Sequence, residues 1–165
     1  MNKIIVLLLI SLRTFSQVSQ SEADNMLRLH NKARKEVGVP PLVWSNALST
    51  YAQYWADHLS TKRGIFHSKC IDFNGRSVGE NIYWSSSYDI HNATDAFRSW
   101  YEEKNNYRYG KIKARDGREV VGHYTQIIWR DTREVGMGIA KTPSGGLVVV
   151  TNYYPAGNVI DECPY

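Results

Sequence analysis

From Ser21 onward, apolar positions recur at three- and four-residue steps. Ala23, Leu27, His30, Ala33 or Arg34, and Val37 share one stripe. That spacing predicts a first helix, capped by Ser21, ended at Gly38 and barred from continuing by Pro40-Pro41. A second helix is predicted after Ser45-Asn46, with Leu48, Tyr51, Ala52, Trp55 and Leu59 on its inner face. A third is predicted from about Thr94, with Ala96, Phe97, Trp100 and Tyr101 facing inward. "HYTQIIW" reads as a short fourth helix, preceded by a polar turn at Asp116-Gly117. The period then changes. "VGMGIA" from Val135 and "LVVVTNYY" from Leu147 are β-rich runs separated by Pro143, Ser144, Gly145 and Gly146, the pattern of a hairpin. "GIFHS" around His67 is a candidate short strand, and Lys69 to Asn81 reads as loop with a turn at Asn74-Gly75. Helices early and an antiparallel hairpin late predict an α+β fold with helices packed over a sheet.

The N-terminus changes the cellular picture. "MNKIIVLLLISLRTFSQ" places Lys3 ahead of an apolar run from Ile4 to Ile10, extended to Leu12. That run is far short of the roughly 20 residues that span a bilayer. Thr14 and Ser16 are small residues at acceptable cleavage positions, so residues 1–16 are expected to be a secretory signal peptide and 17–165 a single domain. The alternative is a buried N-terminal strand or a membrane anchor. The protein is therefore expected to be secreted and extracellular, or periplasmic in a bacterium with an outer membrane. Losing residues 1–16 removes Lys3 and Arg13 and lowers the formal charge from +4 to +2. No dense Lys/Arg block is left, which argues against a nucleic-acid partner. Export also permits a disulfide between the only two cysteines, Cys70 and Cys163. Closing a loop of roughly 90 residues is worth about 4 to 5 kcal/mol in chain entropy; two free thiols are the alternative. Asn92-Ala93-Thr94 is a glycosylation sequon, and equally a pair of helix-capping residues.

Candidate chemistry is sparse. None of the five histidines opens an H-E-x-x-H pair, which excludes a zincin helix. Gly75-Arg76-Ser77-Val78-Gly79 matches G-x-S-x-G by letter, but no helical period follows, so Ser77 reads as a loop serine. His30 lies on the packed stripe and reads as core, while His58 and His91 read as solvated. His67 and His123 each border an apolar segment beside small or polar residues. Two acids share that setting: Glu80 in "GENIYW", and Glu103 in "SWYEEKNNY". Glu103 follows Trp100 by three residues on the same helix face, whereas Glu102 projects away toward solvent. An acid at the edge of an apolar face needs a partner, and histidine suits it.

Seven segments then appear in order: "LHNKAR", "GVPPLVWS", "FHS", "GENIYW", "SWYEEKNNY", "GHYTQIIW" and "NYYPAGNV". Together they closely resemble the CAP superfamily of cysteine-rich secretory proteins, antigen 5 and plant pathogenesis-related class-one proteins, over essentially residues 21–165. The resemblance implies a three-layer α-β-α sandwich with a central, mainly antiparallel sheet. It also implies a cleft tetrad that falls here on His67, Glu80, Glu103 and His123, with Gln126 lining the cleft or capping its wall. His67 and His123 would ligate Zn²⁺ or another divalent cation, with the carboxylates behind them; a metal-free network that stiffens the cleft is the alternative. The resemblance implies a binding or defence module for a small apolar ligand, a sterol or fatty acid, or for an extracellular protein partner. The loop between His67 and Glu80, bearing Phe73, would be the ligand loop. The competing reading is a metal-dependent hydrolase, a peptidase or esterase, using the same tetrad. No residue is assigned a catalytic role, because no nucleophile or oxyanion hole is evident. Relatives from plants and venoms carry several disulfides, whereas this chain has two cysteines.

Overall fold

Capping chemistry sets where the first helix begins. In the computed structural model, which describes residues 18–112 and 120–165, α1 spans Gln20–Glu36. Ser19 is its cap rather than Ser21. Ser19 Oγ accepts the Glu22 N–H, and Glu22 Oε2 accepts the Ser19 N–H at 2.9 Å. The glutamate three residues on completes this capping box. At the other end Gly38, with φ +73°, carries the chain out of the helix. The inner face holds Ala23, Met26, His30, Ala33 and Arg34, so Met26 takes the core position expected of Leu27, which is half-buried. The expected signal peptide, 1–16, and the Asp116-Gly117 turn lie outside the described residues.

Strand β1 (Val43–Trp44) leads into α2 (Asn46–Ser60). Strand β2 (Gly79–Ser85) precedes α3 (Ala93–Glu102), which is capped by Asn92 and passes into a short 3₁₀ turn, Glu103–Asn105. A one-and-a-half-turn helix, α4 (Gly122–Ile127), is followed by β3 (Glu134–Lys141) and β4 (Leu147–Tyr154). The hairpin forms as expected. β1 and β2 are additions to the sequence reading, and "GIFHS" is coil rather than strand.

The sheet order is β1-β3-β4-β2. β2 and β3 both pair antiparallel with β4, and only the short β1 pairs parallel, with β3. Helix α2 covers one face, against β3 and β4; α1, α3 and α4 cover the other. This is a three-layer α-β-α sandwich with a mainly antiparallel sheet. Glycine makes the α2 contact possible. A Cβ on Gly138 would lie 2.3 Å from Gln53 Cα, and one on Gly136 would lie 2.2 Å from Ser49 N. Both approaches are closer than any side chain permits. Trp100, Ile127, Ile128, Met137 and Val149 fill the larger core under α1, α3 and α4.

Candidate functional site

Glu80 is the second residue of β2, and its carboxylate is wholly buried. It accepts from His67 Nδ1 at 2.8 Å and from the Ser68 N–H at 2.9 Å, and Asn152 Nδ2 lies 3.4 Å from its other oxygen. Burial pushes the Glu80 carboxyl up, but the bonds from His67 and Ser68 outweigh it and hold the group below the usual carboxylate range. His67 stands on the loop after α2 with 58% of its side chain exposed.

The second pair is built on a helix end. Glu103, where α3 passes into the 3₁₀ turn, accepts from His123 Nδ1 at 2.6 Å. Its other oxygen accepts the backbone N–H groups of His123 at 2.9 Å and Tyr124 at 3.1 Å. Glu103 thus caps α4 and orients the imidazole at once, while Glu102 is exposed, as expected. Trp100 backs the histidine: its ring stacks on His123 at 6.2 Å and its indole N–H donates to the Ile82 carbonyl.

The four sequence-predicted residues therefore form two His–Glu pairs, joined through β2. Asn81, the neighbour of Glu80, donates to the His123 carbonyl at 3.1 Å and to the Tyr153 hydroxyl at 3.1 Å. Tyr153 in turn contacts His30 Nε2 at 2.9 Å, and His30 Nδ1 lies 2.8 Å from the Met26 carbonyl. These partners assign the tautomer: Nδ1–H donates to Met26, and Nε2 accepts from tyrosine. His30 is the core residue its place on the stripe predicted. His58 is less solvated than expected, because it stacks on Trp55 at 4.7 Å.

Gln126 packs inside the fold, between Gly79 of β2 and Gly157. It is buried, accepts the Gly157 N–H at 3.0 Å and reaches Thr132 Oγ1 at 3.3 Å. A Cβ on Gly79 would meet its Oε1 at 2.0 Å, so the glycine before Glu80 lets β2 close onto this amide. Cys70 and Cys163 are free thiols, and the expected bridge between them is not formed. They occupy different surroundings: Cys70 packs with Leu48, Tyr51 and Val78, whereas Cys163 lies beside Tyr109. Among the described residues, one group of three metal-ligating side chains has its ligand atoms within 4.8 Å of one another: His67, Cys70 and Glu80. The sequence reading missed Cys70 as a member, having assigned it to a bridge. It also gave Asn81 no role, although Asn81 directly follows Glu80.

Residues 27–154 match the CAP family, described as the cysteine-rich secretory protein family. The chain is 38% identical to pathogenesis-related protein 1B of Nicotiana tabacum over 159 residues, covering 96% of this chain and 90% of that protein. It is 35% identical to pathogenesis-related protein 1 of Arabidopsis thaliana, covering 89% of this chain and 84% of that protein. Among solved structures, NaASP2 with Zn²⁺ superposes with a TM-score of 0.76 at 23% identity, covering 91% of this chain and 87% of that one. BmVAL-1 superposes with a TM-score of 0.72 at 27% identity, covering 90% and 84%. No described helix is long and apolar enough to cross a membrane.

Proposed function

The chain belongs to the CAP family, and from that premise we propose that it is an exported, pathogenesis-related-type defence module whose cleft takes a divalent cation, zinc above all, on His67 and His123. One observation carries this reading. Each imidazole gives its Nδ1 to a carboxylate, at 2.8 Å for His67 and 2.6 Å for His123, and neither Nε2 has a hydrogen-bond partner among the described residues. A carboxylate on Nδ1 fixes the tautomer with its lone pair on Nε2 and makes that nitrogen a better ligand. Each ring is therefore prepared as a metal ligand. Two neutral imidazoles are few ligands, so water completes the coordination and affinity is modest. A bound ion would act as a Lewis acid there, while the carboxylates hold the rings in place.

Beside the cleft, the module takes a small apolar ligand. A cavity of about 340 Å³ lies along α2 between Val18, Tyr54 and Phe73, a size within the range of small-molecule sites. Phe73 sits edge-on to Tyr51 and Tyr54, at 5.3 and 5.6 Å, and is itself 62% exposed. Asp57 Oδ2 on the same wall has no hydrogen-bond partner among the described residues. An unpartnered carboxyl oxygen at the wall suits a hydroxyl better than a second carboxylate, which favours a sterol over a fatty acid.

Calorimetric zinc titration tests the metal reading. His123→Ala removes one of the two protein ligands and is expected to weaken binding by at least the roughly 10- to 100-fold that loss of a ligand's supporting partner costs. Identical isotherms for wild type and His123→Ala would overturn it. Saturable binding of a fluorescent sterol, weakened by Phe73→Ser and untouched by chelator, is expected of the carrier. Zinc-dependent turnover of peptides or esters, lost in His123→Ala, would replace it with the hydrolase.

A further inference from the structure

We infer that His67, Cys70 and Glu80 form a thiolate-containing site for zinc or a similar borderline-soft divalent cation, distinct from the His67–His123 pair. The inference deepens the proposed metal reading, with which it shares His67 as a ligand and Glu80, which there only orients the ring.

Its basis is a convergence of three different ligand types. An imidazole nitrogen, a sulfur and a carboxylate oxygen lie within 4.8 Å of one another, and the His67 Nδ1 to Glu80 Oε1 distance is already 2.8 Å. That nitrogen and oxygen need to part by roughly 0.5 to 0.8 Å to share an ion at about 2.0–2.2 Å each in a tetrahedral arrangement. Charge favours the set. A thiolate and a carboxylate neutralise a divalent cation, which matters beside a carboxylate with no solvent contact. Sulfur with imidazole selects zinc and its softer neighbours over magnesium or calcium. Three protein ligands leave one position of a tetrahedron for water.

Cys70 is fixed where the site needs it. Its backbone is left-handed, φ +54°, which few non-glycine residues adopt. Ser68 Oγ accepts its N–H at 2.9 Å, and the Val78 N–H donates to its carbonyl at 2.8 Å. His67 leaves an open path for the ion from solvent. Behind Glu80, the wholly buried Asn152 donates to the Gly79 carbonyl, and its own Oδ1 has no partner among the described residues. On binding, the Cys70 thiol gives its proton to the buffer as the sulfur–metal bond forms. The proton on His67 Nδ1 moves to Nε2, and nothing is oxidised or reduced.

Cobalt(II) added to the reduced full chain is the test. A near-ultraviolet thiolate-to-cobalt charge-transfer band is expected in wild type, in Cys163→Ser and in His123→Ala, and its loss in Cys70→Ser. Zinc at ten times its Kd is expected to slow alkylation of Cys70 about tenfold in wild type, without slowing Cys163. That arm needs no variant to fold. No band in wild type, or a band that survives Cys70→Ser, would each overturn the inference. Loss of zinc heat in His123→Ala with no sulfur band would leave the two-histidine reading standing alone. A sulfur band with isotherms unchanged in His123→Ala would do the reverse.

Discussion

His30 is kept neutral by where it sits. Burial pushes its pKa from 6.5 down to about 4; the bond to the Met26 carbonyl opposes the shift and the neighbouring Arg34 charge adds to it. Between those two values the unfolded chain takes a proton that the native ring refuses. Stability is therefore full above pH 6.5, falls as the pH is lowered toward 4, and loses nothing more to this group below that. The loss is about 3 kcal/mol. Urea unfolding at pH 7 and pH 4.5 reads it directly, and His30→Gln is expected to flatten the slope across that window. Asp72 acts in a lower range. Burial raises its carboxyl, but N–H groups of Arg76 and Asn74 and the Arg76 guanidinium hold it below the ordinary value. Its contribution is present above the unfolded pKa of about 3.8 and disappears as the pH falls through the native value.

At the scale of elements, α4 is the informative one, because six residues make no stable helix alone. Both of its ends are finished by distant side chains. Glu103 satisfies the N–H groups of His123 and Tyr124, and Arg34 Nη1 donates to the carbonyls of Ile127 at 2.9 Å and Trp129 at 2.8 Å. Arg34 also serves Pro40 and Thr132, and it is wholly buried with no carboxylate paired to it among the described residues. Arg34→Met keeps the bulk but takes a donor from four carbonyls and leaves those of Pro40 and Ile127 without a partner among the described residues, so a loss of more than about 3 kcal/mol is expected in urea unfolding. Glu103→Ala removes the other cap, at about 1 to 2 kcal/mol, and frees the His123 ring, so zinc affinity falls with it. Glu103→Gln, which keeps an acceptor, is expected to recover most of the stability. The three longer helices were legible in the sequence because each has a polar outer face. Strand β2 was not. Gly79 to Ile82 are all buried, since α3 and α4 lie on one side and Glu80 and Asn81 are spent on internal bonds, so no alternation survives to mark it. β1, at two residues, carries no period at all.

The whole molecule builds the two histidine–glutamate pairs from segments that only the fold brings near: the loop after α2, strand β2, the end of α3 and the start of α4. Sequence pattern raised the two acids and two histidines as candidates, and the family resemblance joined them as a set. Which acid faces which histidine, and how Asn81 ties the pairs together, came from the sheet register and lay beyond any local signal. Cys70 escaped for a similar reason, because its neighbours in space are not its neighbours in the helix periods. A site assembled this way links ligand to fold. An ion that binds only when these segments are in place must stabilise the entire domain by mass action, about 2.7 kcal/mol at one hundred times its Kd. Zinc is therefore expected to raise the urea midpoint of wild type, and a chelator to return it to the metal-free value. His67→Ala removes the one ligand shared by both readings of the metal centre and should show no rise at the same zinc concentration. A rise of equal size in His67→Ala would mean that zinc binds elsewhere, and that the histidine–glutamate pairs serve the fold alone.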